Sequence, residues 1–499
     1  MTPRLVEGHM TDTQELTRHI DKRLRELADR TSAAIAGNDV NAIAKIEREY
    51  GDIMNAAPRH PLAAFLMGTL HSMTGRNGSA IALLEKAIEY GAVGPGAWIN
   101  LGNTWKAEHA DDEARKCFEK GLACPPETFL PGDKAGCLNG LASLHINAGS
   151  PEDCIRYCEA SLEAEPGNRF ALWNRALAYL EMGNWRDGFH WYDKAGFMGG
   201  GGKAPERKIK TYGGLPTWRG EPGKTVICYG EQGVGDEIMF ASMVPDLLAL
   251  CPDAILDVDK RIIPLIQRSF PGTRVFGTSS IDDQSPWLAD VKADAVVSMG
   301  SLGRFFRKKA SDFPKTPYLK PDPDRVAYWR GRLAKIGARP KIGLSWVGGT
   351  KKTRVDYRSI RAEALAPLLA LDCDFVSLQY HDWAPDECAR MSWASGNTVW
   401  HWHPVAAGKD YDDTAALVAA LDCVVTVNTS VLHLAGAVGA PTICLTPFAP
   451  AWRYGVSGEN PWYASVKTIR QKKGETWEPA VEKAAATVAK RYLQRKEAA

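Results

Sequence analysis

The chain has 499 residues, which is too long for one ordinary domain, so two or three domains are expected. Hydrophobic residues make up 45% of it, as in globular proteins with substantial cores, and the net charge of +2 argues neither for nor against nucleic acid as a partner. No window approaches the roughly 20 apolar residues that span a bilayer. The start contains no apolar run like a signal peptide, and the cysteines form no CxxC pair. We therefore expect a cytoplasmic protein with reduced thiols.

The N-terminal part carries a weak repeat with a period of about 34 residues. Small and large residues recur in order as Phe65, Gly68, His71, Ala80, Leu84 and Ala87, and again as Trp98, Gly102, Trp105, Ala114, Phe118 and Gly121. The pattern resembles the tetratricopeptide repeat, in which small residues let two helices approach and large ones fill the gaps. The resemblance implies an α-helical solenoid over residues 1–197, with a further amphipathic helix pair at 14–58.

Stacked repeats of this kind form a groove from the first helix of each unit, where an extended peptide or a partner helix can bind. In the predicted register Asn100, Asn103 and Asn174 point into that groove. An asparagine amide can hydrogen-bond the backbone of a bound chain through both its donor and its acceptor. The alternative is that the three are ordinary surface amides.

A linker is predicted over residues 198–222, because four consecutive glycines in MGGGG cannot sustain a helix. Its basic cluster is expected to be a solvated connector and consists of Lys203, Arg207, Lys208 and Lys210. Residues 223–335 and 336–499 then form two α/β lobes, because strands alternate with helices, which favours parallel sheets on either side of a cleft.

The first lobe opens with a strand at Thr225–Tyr229, followed by the glycine-rich turn GEQGVGD. Gly233 and Gly235 let the backbone turn sharply and approach a ligand, although neither a dinucleotide fingerprint nor a P-loop is complete. Asp236 at this turn is either a catalytic base or a residue that caps the helix, and both roles are compatible. Further short strands are predicted at Ile255–Val258, Arg274–Phe276 and Ala295–Val297. The clearest basic patch is the run RFFRKK at 304–309.

The second lobe opens with a strand at Lys341–Trp346, followed by a basic loop and a helix at Arg361–Leu371. The loop carries four cations that suggest a diphosphate clamp, with a solvated charge run as the alternative: Lys351, Lys352, Arg354 and Arg358. A strand follows at Phe375–Tyr380. The pair His401 and His403 lacks further ligands, so no metal site is expected.

The segment Leu421–Tyr454 predicts a buried strand at Cys423–Val427, a polar turn, a small-residue helix and a strand at Pro441–Leu445. Thr429 or Ser430 is placed to cap the helix, and a helix N-terminus of this kind favours a phosphate. Near it stand groups that are either site residues or packing residues: His433, Trp452, Arg453 and Tyr454.

Together the blocks GEQGVGDEIMF, GLSWVGG, FVSLQ and VNTSVLHLAGAVGAPT resemble the ADP-heptose:lipopolysaccharide heptosyltransferase family, and more closely bacterial proteins that join tetratricopeptide repeats to such a domain. Some of those are protein glycosyltransferases, including ones that modify flagellin. The resemblance implies a GT-B fold, with two Rossmann-like lobes around a cleft. It also implies an inverting, metal-independent transferase whose general base is Asp236 and whose nucleotide-sugar donor binds the C-terminal lobe.

By the same resemblance Lys351 or Lys352 binds phosphate, and Thr429, Ser430 and His433 lie at the donor diphosphate. The family usually has aspartate where this chain has Asn428, so heptose as the sugar is in doubt. The expected acceptor is a hydroxyl of a protein recruited by the repeats. The alternatives are a glycan, a lipid-linked sugar or modified nucleic acid as acceptor, or a binding scaffold that has lost activity.

Overall fold

The computed structural model describes residues 12–92, 94–197, 210–279, 285–349, 354–402, 410–456 and 459–494. Packing divides the chain into two compact units. One comprises Met1–Leu144 and Arg156–Asn168, and the other comprises His145–Ile155 and Arg169–Ala499. The predicted linker residues Lys203, Arg207 and Lys208 lie outside the described residues.

Helices in the N-terminal part follow one another as hairpins, which agrees with the repeat pattern. In chain order they are α1 (Asp12–Ala36), α2 (Val40–Ala56), α3 (Pro61–Met73), α4 (Asn77–Glu89), α5 (Pro95–Ala107), α6 (Asp111–Leu122), α7 (Asp133–Asn147), α8 (Pro151–Ala164), α9 (Arg169–Glu181) and α10 (Trp185–Phe197). The helix pair expected at 14–58 is present as α1 and α2, and α3–α4, α5–α6 and α9–α10 are packed hairpins.

Close approach within a hairpin depends on the small residues that the repeat pattern singled out. A Cβ atom on Gly102 of α5 would lie 2.8 Å from the ring of Phe118 in α6, and one on Gly68 of α3 would lie 2.9 Å from Cγ of Leu84 in α4. Neither neighbour has room to retreat, since both are fully buried. The predicted pairing of small and large residues is therefore confirmed.

The second unit contains two separate sheets, and all their strand pairs are parallel. The first, in spatial order 3-2-1-4, consists of β1 (Val226–Tyr229), β2 (Ile255–Asp257), β3 (Arg274–Phe276) and β4 (Ala295–Ser298). The second, in order 10-9-8-5-6-7, consists of β5 (Lys341–Ser345), β6 (Asp374–Ser377), β7 (Val399–Trp400), β8 (Cys423–Val427), β9 (Thr442–Thr446) and β10 (Val466–Arg470). Two parallel sheets with interleaved helices form the two Rossmann-like lobes of a GT-B fold.

Helices lie between the strands of both lobes, and one more follows the last strand. They are α11 (Val234–Phe240), α12 (Val244–Leu250), α13 (Ile263–Ser269), α14 (Gly303–Phe306), α15 (Pro323–Ala334), α16 (Ala366–Leu369), α17 (Ala384–Ser395), α18 (Tyr411–Ala420), α19 (Ser430–Val438) and α20 (Glu478–Val488). Within the described ranges, no helix is both long enough and apolar enough to cross a bilayer.

Three expectations from the sequence need correction. The helix predicted at Arg361–Leu371 is a short 3-10 turn followed by α16, which spans only Ala366–Leu369. Lys210 is not a solvated connector residue: it is buried, and its Nζ bonds to Asp257 (3.4 Å) and to the carbonyl of Thr278 (2.8 Å).

The run RFFRKK at 304–309 is not a continuous basic surface. Arg307 is buried, and it contacts Asp246 (2.9 Å) and the carbonyl of Ser242 (2.9 Å). Arg304 donates to Asp193 of α10 (2.7 Å), while Lys308 and Lys309 are exposed. Tertiary packing has thus divided the cations of this run, so it no longer supports a nucleic-acid surface.

Candidate active site

The turn between β1 and α11 places Asp236 in the first turn of its helix. Oδ2 of Asp236 accepts the backbone N–H of Gly233 (3.3 Å), so the carboxylate caps the helix. A carboxylate is favoured at this position because the first amide groups of a helix are unpaired and carry partial positive charge. The capping role expected for Asp236 is present, and it leaves Oδ1 for a second contact.

The turn between β8 and α19 is the equivalent strand-to-helix turn of the second sheet, and each of these two turns is called a corner below. Thr429 is the N-cap, and its hydroxyl accepts the N–H of Val431 (3.0 Å), while Ser430 accepts from the hydroxyl of Tyr411 (2.9 Å). The preceding Asn428 is 2% exposed, and neither its Oδ1 nor its Nδ2 has a partner. A buried amide without hydrogen bonds costs roughly 1–3 kcal/mol, so this corner has polar groups available for a ligand.

The two corners meet directly. Helices α11 and α19 pack against each other, and a Cβ on Gly235 would lie 3.1 Å from Cα of Ser430 and 3.3 Å from Cδ2 of His433. The absence of a side chain at Gly235 therefore lets the Asp236 turn approach the Thr429 cap. The sequence placed these two turns in different lobes, and the structure brings them together.

Arg453 connects the base candidate to its surroundings. Its Nε donates to Oδ1 of Asp236, and its Nη2 donates to Oε1 of Gln232 (2.8 Å). Burial is the largest influence and lowers the pKa of the Arg453 guanidinium, but the charge and hydrogen bond of Asp236, together with Tyr454 and Tyr192, make the net shift upward. Gln232 holds this position with a left-handed backbone, at φ +65°. Asp236 is thus ion-paired in the described state.

His433 lies on the inner side of α19 and is a neutral packing residue in this state. Its Nδ1 and Nε2 lie 3.0 Å from the hydroxyls of Tyr463 and Tyr454, and its ring stacks on Tyr454 with centroids 5.8 Å apart. Burial, followed by the nearby charge of Arg453, lowers the pKa of His433 to about 3. A neutral imidazole donates through one nitrogen and accepts through the other, which suits two tyrosine hydroxyls.

The basic loop after β5 divides into different environments. Nε of Arg358 donates to the carbonyl of Gly348 (2.9 Å). Burial lowers the pKa of its guanidinium, Arg453 lowers it further, and Tyr454 and Asp236 raise it. Arg358 is therefore close to the ion pair. Arg354 turns elsewhere, since its Nη1 donates to the carbonyl of Asn147 (3.1 Å). Lys351 and Lys352 lie outside the described residues.

A buried carboxyl lies at the end of α9. Glu181 is 2% exposed and its Oε2 has no partner. Burial raises the pKa of Glu181 to about 8, while the positive charge of Arg470 acts in the opposite direction. Arg470 itself donates to the carbonyls of Phe448, Tyr454 and Gly455, and so holds the segment that carries Arg453.

The remaining predicted residues are separate from this site. Nδ2 of Asn100 donates to Thr69 (2.9 Å), and Asn103 is exposed, while Asn174 is half-buried. Nδ1 of His401 lies 3.1 Å from the hydroxyl of Ser377, and His403 is outside the described residues. Among the described residues, no group of three or more candidate ligands could hold a metal ion.

Sequence reasoning missed two residues that are linked to Asp236 through Arg453. Gln232 stands inside the GEQGVGD motif, and Tyr192 stands in the last helix of the repeat region, but the sequence assigns a role to neither. The left-handed backbone at Gln232 offers no sequence signal because glutamine rarely adopts it. Tyr192 could not be linked to a turn some forty positions away without the tertiary structure, in which its hydroxyl contacts Gln232.

No family model matches the chain. It is 30% identical over 432 residues to Protein FlbA of Caulobacter vibrioides, covering 81% of this chain and 69% of FlbA. Among solved structures it is similar to ADP-heptose lps heptosyltransferase II of E. coli, with 17% identity, TM-score 0.39, and 55% of this chain and 99% of that chain covered.

Two further structures are similar to parts of the chain. The glycosyl transferase family 9 protein of Veillonella parvula has 11% identity and TM-score 0.42, covering 56% of this chain and 99% of its own. YrrB, a TPR protein with an unusual peptide-binding site, has 15% identity and TM-score 0.27, covering 36% of this chain and 91% of its own. Because these TM-scores are low, the fold assignment depends on the helical hairpins and parallel sheets themselves.

Helical hairpin repeats, two parallel sheets and a shared corner at Gly235 define a tetratricopeptide-repeat protein with a GT-B-fold domain. The chain belongs to the family of FlbA, since its identity to that protein extends over most of both chains.

Proposed function

We propose that this protein is a glycosyltransferase that moves a sugar from a nucleotide-diphosphate sugar to a hydroxyl group of a protein, with Asp236 as the general base. One observation carries the proposal: the turn that holds Asp236 lies against the N-terminus of α19, beside the buried, unpartnered amide of Asn428. A base and an anion-binding corner from two different lobes are thus adjacent.

The donor side of this site can hold a diphosphate. The first amide groups of α19 favour an anion, and Arg358 and Arg453 add two positive charges nearby. The amide of Asn428 can donate to a sugar hydroxyl and accept from one, which an aspartate cannot do while ionised. Lys351 and Lys352 remain proposed phosphate ligands on the same loop as Arg358.

In the proposed reaction the acceptor oxygen attacks the anomeric carbon of the donor sugar as the bond from that carbon to the diphosphate oxygen breaks. Asp236 takes the acceptor proton, and the bond electrons leave with the nucleoside diphosphate. Arginine side chains and helix amides stabilise the charge that develops on that leaving group. Attack from the face opposite the leaving group makes the reaction inverting. No step of this scheme uses a metal ion.

The ion pair in the described state sets a condition on this chemistry. While Arg453 donates to Oδ1 of Asp236, the carboxylate is held in one orientation, and each of its oxygens keeps a further lone pair that can accept from an acceptor hydroxyl. A bound diphosphate offers the guanidinium further acceptors. The condition is therefore that Arg453 keeps its contact with Asp236 when the donor binds, so that the base stays oriented.

In this proposal the repeats bind the protein acceptor and so determine which protein is modified. The reaction takes place in the cytoplasm. Asn103 is exposed on α5, where an extended chain can use its amide. Asn103→Ala is expected to raise the KM for the protein acceptor while the Kd for the donor stays unchanged. An unchanged acceptor KM would argue against recruitment through this asparagine.

Donor binding is the first test. The purified chain is screened by thermal shift against ADP-, UDP-, GDP- and CMP-linked sugars, because a ligand at 100 times its Kd stabilises the folded state by about 2.7 kcal/mol. Arg358→Ala is expected to abolish the shift. Arg361→Ala is the matched control, since this arginine is exposed on the same segment.

Each result has a definite meaning. A shift with one nucleotide that disappears in Arg358→Ala and persists in Arg361→Ala supports the donor site. If neither the nucleotide sugars nor the corresponding nucleoside diphosphates shift the wild-type transition, the glycosyltransferase proposal is wrong.

A further inference from the structure

The last helix of the repeat pattern packs inside the unit that contains both sheets. Tyr192 of α10 is fully buried, with its ring 5.0 Å from that of Trp173, 6.3 Å from Phe189 and 6.2 Å from Trp452. Its hydroxyl lies at the turn after β1, where it contacts Glu231 (3.3 Å) and Gln232. A residue of the helical region thus reaches the loop that carries Asp236.

The chemistry of these groups fixes the direction of each hydrogen bond. A guanidinium only donates, so Arg453 must face the side-chain oxygen of Gln232. The amide nitrogen of Gln232 is then left to donate to the hydroxyl of Tyr192. That hydroxyl in turn donates to Glu231, whose Oε1 also accepts the N–H of Gly300 (3.0 Å).

The result is a continuous series of bonds from α10 to the base candidate. It runs from Tyr192 through Gln232 to Arg453 and ends on Asp236. The tyrosine end is held firmly, because a Cβ on Gly300 would lie 2.8 Å from the Tyr192 ring, and the neighbouring Asp193 accepts from Ser301 (2.6 Å). A displacement of the Tyr192 hydroxyl would therefore be passed directly to Gln232.

We propose that Tyr192 is a positioning residue for Asp236: through Gln232 it holds Arg453 against the carboxylate, so that the last helical hairpin completes the active site. The statement that Asp236 is a base depends on the proposed function, whereas the coupling between Tyr192 and Asp236 does not. This distinction allows the two to be tested separately.

Carboxyl NMR of the full chain tests the coupling directly. The Asp236 carboxyl signal is assigned by its loss in Asp236→Asn, and its chemical shift at pH 7 is measured in the wild type, Tyr192→Phe and Arg453→Gln. Phenylalanine keeps the ring packing and removes only the hydroxyl. The chemical shift of a carboxyl carbon depends on the cation bound to it, so we expect the signal to move in Arg453→Gln and to move in the same direction in Tyr192→Phe.

Tyr50→Phe is the matched control, because Tyr50 is another fully buried tyrosine whose hydroxyl bonds within the other unit, to Thr31 (3.1 Å). In Tyr50→Phe the Asp236 signal should coincide with that of the wild type. The titratable groups around Asp236 other than Arg453 are the same in all of these variants and are Glu231, Glu237, Arg358, His433, Tyr454 and Tyr463. An Asp236 signal that stays at its wild-type position in Tyr192→Phe would overturn the proposal.

Kinetics add a second readout. In Tyr192→Phe we expect kcat to fall about tenfold and the donor KM to stay within about twofold. A fall in kcat with an unmoved Asp236 NMR signal would indicate a packing role only, against the proposal. Absence of transfer in the wild type would count against the proposed function, and the NMR result would still decide the coupling.

Discussion

The guanidinium of Arg453 donates to the carboxylate of Asp236 although the two residues stand 217 positions apart in the chain. Each belongs to a different lobe: Asp236 follows the first strand of one sheet, and Arg453 follows β9 of the other. The contact joins the base candidate to the region where a donor diphosphate is proposed to bind.

Replacement of Asp236 by asparagine separates catalysis from binding. The amide oxygen still accepts from Arg453, but it cannot take a proton, so kcat is expected to fall by about 10²–10⁴-fold while the donor thermal shift persists. Steady-state kinetics and donor titration on the same preparation provide the measurement. If Asp236→Asn transferred sugar at the wild-type rate, another group would have to be the base.

His433 predicts a loss of stability in acid. Its pKa is about 3 in the folded protein, against an ordinary value of 6.5, so unfolding takes up a proton between these values. The free energy of unfolding should therefore fall as the pH drops below about 6.5, at up to about 1.4 kcal/mol per pH unit.

Urea unfolding at pH 7, 6 and 5 measures this effect. His433→Gln lacks the titrating group and should lose less stability over the range than the wild type. His19→Gln, at an exposed histidine of α1, is the control and should follow the wild type. Parallel pH profiles for the wild type and His433→Gln would contradict the prediction.

Glu181 predicts the opposite pH dependence. Its pKa is about 8 when folded and ordinarily 4.5, so unfolding releases a proton between these values and stability falls as the pH rises from about 4.5 to about 8. Glu181→Gln should stabilise the protein at pH 8 relative to pH 5. Glu159→Gln, at an exposed glutamate of α8, should show no such difference. Thermal unfolding at both pH values tests this, and equal effects of the two substitutions would refute it.

Truncation tests whether the last hairpin is part of the folding unit that contains both sheets. Removing residues 1–197 uncovers Trp452, Phe240 and Trp462, which now pack against aromatic rings of α10. Each aromatic side chain that loses its burial costs up to roughly 4–6 kcal/mol, an upper bound. Removing residues 1–168 keeps those rings. We expect the longer truncation to lose cooperative unfolding and the shorter one to keep it.

The sequence predicted the architecture well because periodic patterns are local. Strands β3 and β8 match their predicted limits, and the pairs Gly68–Leu84 and Gly102–Phe118 pack as the repeat implied. The two-residue strand β7 was missed, because it is too short to show a pattern. So was β10, whose burial does not alternate simply along the strand.

The sequence predicted only those site residues that lie in the two strand-to-helix turns. Asp236, Thr429 and Ser430 stand at strand ends, where turn chemistry reveals them. Their placement as donor and base residues remains a proposal. The partners of Asp236 come from distant parts of the chain, and no local pattern relates α10 to a glycine-rich turn.

The left-handed backbone of Gln232 has a consequence for attempts to stabilise the protein. For a residue with a side chain this conformation costs roughly 1–2 kcal/mol, and glycine would adopt it freely. Gln232→Gly should therefore relax the turn yet release Arg453, and lose activity as a result. A screen for heat resistance alone would therefore be expected to select glycine here and to discard the residue that binds Arg453.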